Sequence, residues 1–304
     1  MPQKLSSRFK PYTPTKSLTE QNLIDLYFPL FKYMLESRFV DRLEEQFTAR
    51  GEAFFHVSGA GHEAMVALHP HLISQDYLHP HYRDKALMIA RGVSSKMFFH
   101  SLFCKDQSHS RGRQMSAHIS DPERNILSMV GPVGNNALQA AGVAMSIKND
   151  SERPIVLCAM GDGTTQEGEC LEAIAEAVRW ELPVLFVVED NQWAISTKTK
   201  GKTFFSRPDG DANEFYGIPI TRVDGHNVIE TYEVFGKAVT EMRQNRKPKI
   251  ILFKAERLSN HTNADDQRIY RTREDIEKVQ KDSDPIAFLE KKLLLWGLDV
   301  DKIQ

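Results

Sequence analysis

An unbroken apolar run at residues 154–160, PIVLCAM, most constrains what this chain can fold into. It is too short for a lone helix and rich in branched residues, which marks a strand buried on both faces. Gly161-Asp162-Gly163 then breaks the chain. Across 167–180 the apolar positions Leu171, Ile174, Ala175 and Val178 recur at spacings of three and four, with Glu169, Glu172, Glu176 and Arg179 between them. That is one face of a helix. A second buried strand is expected at 182–188. Strand, helix and strand with short joints make a βαβ unit, whose strands are parallel and usually adjacent. Asp162 follows the first strand and Asn191 the second, so both reach the crevice outside the carboxyl ends where open α/β sheets bind ligands. Two hard oxygen donors suit Mg²⁺, which fills its remaining positions with water and substrate phosphates. The glycines beside Asp162 let backbone approach a bulky ligand, and the free N–H groups at the helix start favour an anion. The local expectation is a metal-bridged diphosphate.

The 304 residues are ample for a buried core, and the net charge of −2 gives no argument for a nucleic-acid or membrane partner. No apolar run approaches the ~20 residues of a membrane span, and the N-terminus lacks the apolar core of a secretory signal. Residues 1–16 read as a solvated N-terminal arm and 17–304 as one α/β domain, short at its C-terminal end. Cys104, Cys158 and Cys170 lack metal spacing and an even count, so they read as packing residues in a reducing, cytoplasm-like compartment of bacterial type. A helix is expected over 17–50, with Ser17 and Glu20 as a capping box, Pro29 as a kink or division, and Gly51 as the stop. A glycine-rich turn and a short helix follow, then His69, His71, His79 and His81. A zinc site is the weaker reading of these four, because no cysteine or carboxylate joins them at ligand spacing and Pro70 and Pro80 interrupt the element. Tyr82 and Arg83 have the chemistry of a diphosphate clamp, or of an ordinary surface contact.

Residues 105–136 are irregular and carry Val130-Gly131-Pro132-Val133-Gly134, then a small-residue helix at 137–147. The backbone there meets a flat heterocycle, or else forms a tight turn against the sheet. Further alternation is expected: strand 218–223, helix 228–244, strand 249–255. The polar stretch that follows has the character of a mobile loop. It carries His261, an acid/base or simply a solvated side chain. An amphipathic helix is expected at 285–298.

The spacing from GDG to DNQWAIST resembles the thiamine diphosphate motif. With YRDKALMIARG, SRGRQMSAHIS, RVDGHNV, NHTNADD and YRTREDIEKVQKDSDP, the chain resembles, from about Leu23 to about Leu298, the alpha subunit of 2-oxo acid dehydrogenases. These are the decarboxylating first components of the pyruvate and branched-chain complexes. The resemblance implies a thiamine diphosphate-binding α/β fold, with a central, mostly parallel sheet and helices on both faces. It implies Mg²⁺ held by Asp162, Asn191 and the main-chain carbonyl of Trp193. It implies cofactor contacts at Tyr82, Arg83, Gly161, Gly163 and Thr164, with Gly131 and Val133 meeting the aminopyrimidine. His261 matches the loop histidine that binds diphosphate and processes intermediates, a catalytic role, and Asp265, Asp266, Tyr270 and Arg271 match residues that order its loop.

The implied reaction is oxidative decarboxylation of a small 2-oxo acid, with acyl transfer to a lipoyl-bearing second component. The implied assembly is α₂β₂, or an alpha-beta fusion, because the glutamate that activates the cofactor belongs to the beta part. Three positions depart from the usual pattern. Asp190 replaces the first of an Asn pair, Glu189 stands where branched-chain relatives tend to carry Arg, and Thr262 stands where animal members have a regulatory Ser. SRGRQM leans toward the branched-chain group and YRTREDI toward the pyruvate group. An acetoin dehydrogenase alpha subunit, another thiamine enzyme and a non-catalytic Mg-nucleotide module are the alternatives, the last without a P-loop or GxGxxG to support it.

Overall fold

The computed structural model describes Phe9, residues 12–129 and residues 131–299. Most of the expected N-terminal arm, Val130 and the last residues lie outside the described residues. The helices are α1 (Glu20–Ala49), α2 (Lys85–Ala90), α3 (Ser95–Leu102), α4 (Asn135–Ile147), α5 (Gly168–Arg179), α6 (Val228–Asn245), α7 (Arg273–Asp282) and α8 (Pro285–Leu295). The first three strands are β1 (Tyr77–His79), β2 (Val156–Gly161) and β3 (Val184–Asp190). Two small hairpins follow, β4 (Trp193–Ala194) with β5 (Thr197–Lys198), and β6 (Ser206–Arg207) with β7 (Gly210–Asp211). The last strands are β8 (Glu214–Phe215), β9 (Ile218–Asp224) and β10 (Lys249–Lys254).

The main sheet has the order β1-β2-β3-β10-β9-β8, parallel except for β8 at one edge. Successive residues of a strand point to opposite faces, and here both faces are covered. Leu157, Ala159, Leu185, Val187, Ile251 and Phe253 join one core with Leu30 and Met34 of α1, Phe235 of α6 and Leu289 of α8. Val156, Cys158, Met160, Val184, Phe186 and Val188 join a second core with Ala140 and Ala144 of α4 and Ile174 and Ala177 of α5. At about 1.5–3 kcal/mol for each large side chain removed from water, these two layers hold the sheet rigid beneath the site. The expected central βαβ unit and its mostly parallel sheet are present.

Two local expectations change. Helix α1 runs undivided through Pro29 for 30 residues, and its cap is Thr19, whose side chain accepts from the Asn22 N–H, while Ser17 lies in a separate 3-10 turn. Tyr27, Leu30, Phe31 and Met34, all within 2 % of full burial, anchor the helix on both sides of the proline. The short helix after the glycine-rich turn is a 3-10 helix, Glu63–His71, which takes Pro70 near its end. The four histidines separate: His71 Nε2 meets Tyr232 O at 2.9 Å, His79 Nε2 meets Gln139 Oε1 at 3.2 Å, and His69 packs its ring against Tyr33 at 6.1 Å. No zinc site forms from that set.

Candidate functional site

The site grows from the carboxyl edge of β2 and β3. Their register pairs Val156 with Val184 through Gly161 with Glu189, so Asp162 stands level with Asp190 and Asn191 lies one residue beyond. Asp162 and Asn191 are 2 % and 4 % exposed. Thr199 Oγ1 donates to Asp162 Oδ2 at 2.6 Å, and Trp193 N–H donates to Asn191 Oδ1 at 3.2 Å, so Trp193 belongs to the same turn as Asn191. Burial raises the Asp162 carboxyl. Burial, and then the charge of Asp162, pushes Asp190 up to about 7. A buried carboxyl beside a half-buried one shares a proton with it unless a cation compensates them. With the amide oxygen of Asn191 the donors are all hard oxygens, which fits Mg²⁺.

Gly163 also has a packing purpose that the sequence did not show. A Cβ on Gly163 would lie 2.6 Å from Ala194 Cβ, so its smallness seats the β4–β5 hairpin on the turn. A Cβ on Gly161 would lie 3.5 Å from His81 Nε2 and 3.7 Å from Thr164 Oγ1. Polar atoms therefore face the backbone there.

Opposite stands a clamp. Arg83, 2 % exposed, donates through Nη1 to Ser58 O, and through Nη2 to His261 Nδ1 at 3.0 Å and His261 O at 3.3 Å. Its guanidinium lies 5.1 Å over the Tyr82 ring, and Tyr82 meets the His261 ring edge-on at 6.4 Å. Arginine only donates, so Nδ1 of His261 accepts and Nε2 carries the proton. Burial, then Arg83 and Arg257, push His261 down to about 3, keeping the imidazole neutral.

The expected mobile loop is tied down around this histidine. Asp265 Oδ2 accepts from His261 N–H at 2.8 Å and from Tyr270 Oη at 2.5 Å. Arg257 Nη2 donates to Tyr270 Oη at 2.7 Å, and Arg271 reaches Arg257 O at 3.2 Å. Asp266 accepts from Arg268 N–H at 3.1 Å and so caps the turn that carries Tyr270.

Between edge and clamp lies a cleft of about 310 Å³, whose walls include His81, Tyr82, Val133, Asn136, Met160 and Thr164. Gly131 borders the same turn, 3.4 Å by its absent Cβ from Met115 Cε. A larger cavity of about 720 Å³ touches Asp190, Thr199, Lys200 and Lys254. Tyr82 and Thr164, both expected cofactor contacts, line the smaller cleft and not the larger one.

Residues 31–303 match the dehydrogenase E1 component family. The chain belongs to that family. Over 290 residues it is 29 % identical to the 2-oxoisovalerate dehydrogenase subunit alpha of Bacillus subtilis (strain 168), covering 94 % of this chain and 86 % of that one. It is 31 % identical to the pyruvate dehydrogenase E1 component subunit alpha of Porphyra purpurea, with 91 % and 81 % covered. Against the mitochondrial 2-oxoisovalerate dehydrogenase subunit alpha 2 of Arabidopsis thaliana the identity is 28 %, and the chain spans 55 % of that relative's length.

In this E1 component two buried clusters stand behind the site. In the first, His62 Nδ1 donates to Glu189 Oε2 at 2.5 Å, and His81 Nδ1 lies 3.3 Å from the same oxygen without hydrogen-bond alignment. Burial raises Glu189, but the charge of His81 and the His62 hydrogen bond outweigh it, so Glu189 stays below the usual carboxylate range. Asp84 is raised by burial and by Glu189, so of these two carboxyls Asp84 keeps the proton. His62 is pushed down to about 4, chiefly by burial.

In the second cluster Lys85 donates to Asp41 and Glu44, and to Val57 O at 3.2 Å. Asp41, Glu44 and His56 group as metal ligands would, but the Lys85 ammonium already fills that place. Asp41 Oδ2 also accepts from Ser58 Oγ at 2.5 Å and Gly59 N–H at 3.0 Å, which sets the Ser58 carbonyl that holds Arg83. His118 completes the surroundings, its ring stacked 6.2 Å from Tyr82 and its imidazole lowered to about 4 by burial and then by His81. None of these roles was read in the sequence. The available signal was His81 directly preceding Tyr82-Arg83.

Proposed function

We propose that this E1 component is the alpha subunit of a 2-oxo acid dehydrogenase that binds thiamine diphosphate through Mg²⁺ and decarboxylates pyruvate or a branched-chain 2-oxo acid. One observation carries the reading: one cleft is walled by Tyr82, whose neighbour Arg83 holds His261, and by Thr164, two residues after the buried Asp162 at the sheet edge. The names of the related alpha subunits support the substrate class. When bound, the cofactor supplies the electron sink that lets CO₂ leave.

The chain's residues do the rest. Asp162, the Asn191 amide oxygen and the Trp193 main-chain carbonyl hold the metal. Gly161, Gly163, Thr164, Tyr82 and Arg83 hold the diphosphate, while the Gly131 and Val133 backbone meets the aminopyrimidine. Neutral His261 keeps a proton on Nε2, positioned by Arg83 at Nδ1, and exchanges it with reacting groups. Burial of Asp162, Arg83 and Asn191 excludes water and strengthens each electrostatic contact. A beta subunit in an α₂β₂-type assembly supplies the group that activates the cofactor ring, and a lipoyl-bearing second component takes the acyl group. The three cysteines are unpaired, in keeping with a reducing, cytoplasmic setting, and no helix among the described residues is long and apolar enough to cross a membrane.

The test is Asp162→Ala in the full chain purified with its beta subunit. Calorimetry should show Mg²⁺-dependent binding of thiamine diphosphate lost, with the circular dichroism of the fold unchanged. Retained binding refutes the metal assignment. A melting shift with Mg-ATP but none with thiamine diphosphate refutes the cofactor class.

A further inference from the structure

His81 is more than nine-tenths buried, yet both of its ring nitrogens lack a hydrogen-bond partner. Three of its surroundings are set. Its ring packs on Tyr82 at 3.9 Å, and Nδ1 faces the carboxylate of Glu189 at 3.3 Å. The remaining direction, Nε2, looks onto the Gly161 backbone, where Thr164 Oγ1 also arrives. Buried polar atoms left without partners are rare, because each costs about 1–3 kcal/mol. Two polar side-chain atoms converging on a glycine-flanked turn in one cleft mark a place for a polar ligand rather than for packing.

The hydrogen-bonding arrangement says which ligand. Nδ1 faces Glu189 without hydrogen-bond alignment, so Nε2 is free to carry the ring proton and to donate it to an anion. An apolar ligand would leave Nε2 unpaired.

We propose that His81 is a diphosphate-binding residue that donates Nε2–H to a phosphate oxygen of the cofactor, with Glu189 as the positioning residue that holds its ring. This rests on the thiamine diphosphate reading above and adds a phosphate donor to Arg83. Glu189 acts through His81 and makes no phosphate contact.

The experiment uses the full chain purified with its beta subunit and stripped of cofactor, titrated by calorimetry with inorganic diphosphate and with thiamine diphosphate in the presence of Mg²⁺. His81→Gln should weaken both by about tenfold or more, the loss of one charge-assisted hydrogen bond. His81→Phe, which keeps the ring on Tyr82, should lose as much, and Glu189→Gln should lose less. The ³¹P signals of bound diphosphate should move in H81Q, whereas a purely structural defect would lower occupancy without moving them. Dissociation constants within twofold of wild type in H81Q and H81F, with wild type binding normally, overturn the role of His81 alone. Wild type that binds neither ligand overturns the cofactor reading together with it.

Discussion

Asp41→Asn tests the buried cluster behind the clamp. Lys85 is fully buried and meets both Asp41 and Glu44. Burial raises both carboxyls, but Lys85 and then His56 hold Asp41 well below its ordinary range, while Glu44 stays raised. Asp41 is thus the stronger acid of the two and the main partner of the ammonium. Removing one partner of a buried ion pair costs about 3–5 kcal/mol. Glu44 remains to face the charge, so D41N should sit near the lower end, about 3 kcal/mol. Glu44→Gln keeps the shape and leaves Asp41 on Lys85, so it should cost less, about 1 kcal/mol.

The sign with pH follows from Asp41 being depressed in the folded state. Its contribution is fully present above the unfolded carboxylate value of about 4 and disappears as pH falls toward the folded value. The gap between wild type and D41N in urea unfolding should therefore be full at pH 7 and shrink below about pH 4. Because Asp41 also accepts from Ser58 and Gly59, D41N should additionally weaken thiamine diphosphate binding through Arg83. An E44Q cost equal to or above that of D41N, or a gap that grows on acidification, would refute the assignment of charge.

Two further outcomes are expected. Tyr270→Phe removes the hydroxyl that joins Asp265 to Arg257, so hydrogen exchange in the loop around His261 should quicken by about fivefold, equivalent to about 1 kcal/mol of local stability; unchanged exchange would contradict the bracing role. Gly163→Ala drives a Cβ to 2.6 Å from Ala194, so the melting temperature should fall, with about 1–3 kcal/mol lost; a neutral result would show that the hairpin moves aside freely.

Residues 154–191 were legible because period and burial agree along one short segment. An apolar run with breaks at Gly161 and Gly163, a three-four helix and a second run leave few alternatives, and the parallel rule then brings Asp162 and Asn191 to one edge. The clamp residues were legible as chemistry and as family resemblance, but their contact was not, since Arg83 and His261 lie 178 positions apart. Pro29 does not divide α1, because the burial on both sides of it holds the helix together. The four histidines show that closeness in sequence is not closeness in space. His81 instead finds Glu189 on a neighbouring part of the sheet edge and His62 from the glycine-rich turn.

What the sequence determined by itself is what depends on neighbours within about one supersecondary unit: the strands, the amphipathic helices and the oxygen pair at the sheet edge. The tertiary structure alone decided which charges are buried together, and therefore which acid is the weaker one beside Lys85 and beside Glu189. It also decided that Gly163 seats the β4–β5 hairpin against Ala194. These outcomes turn on desolvation and on atoms brought together from distant positions, neither of which a linear pattern records.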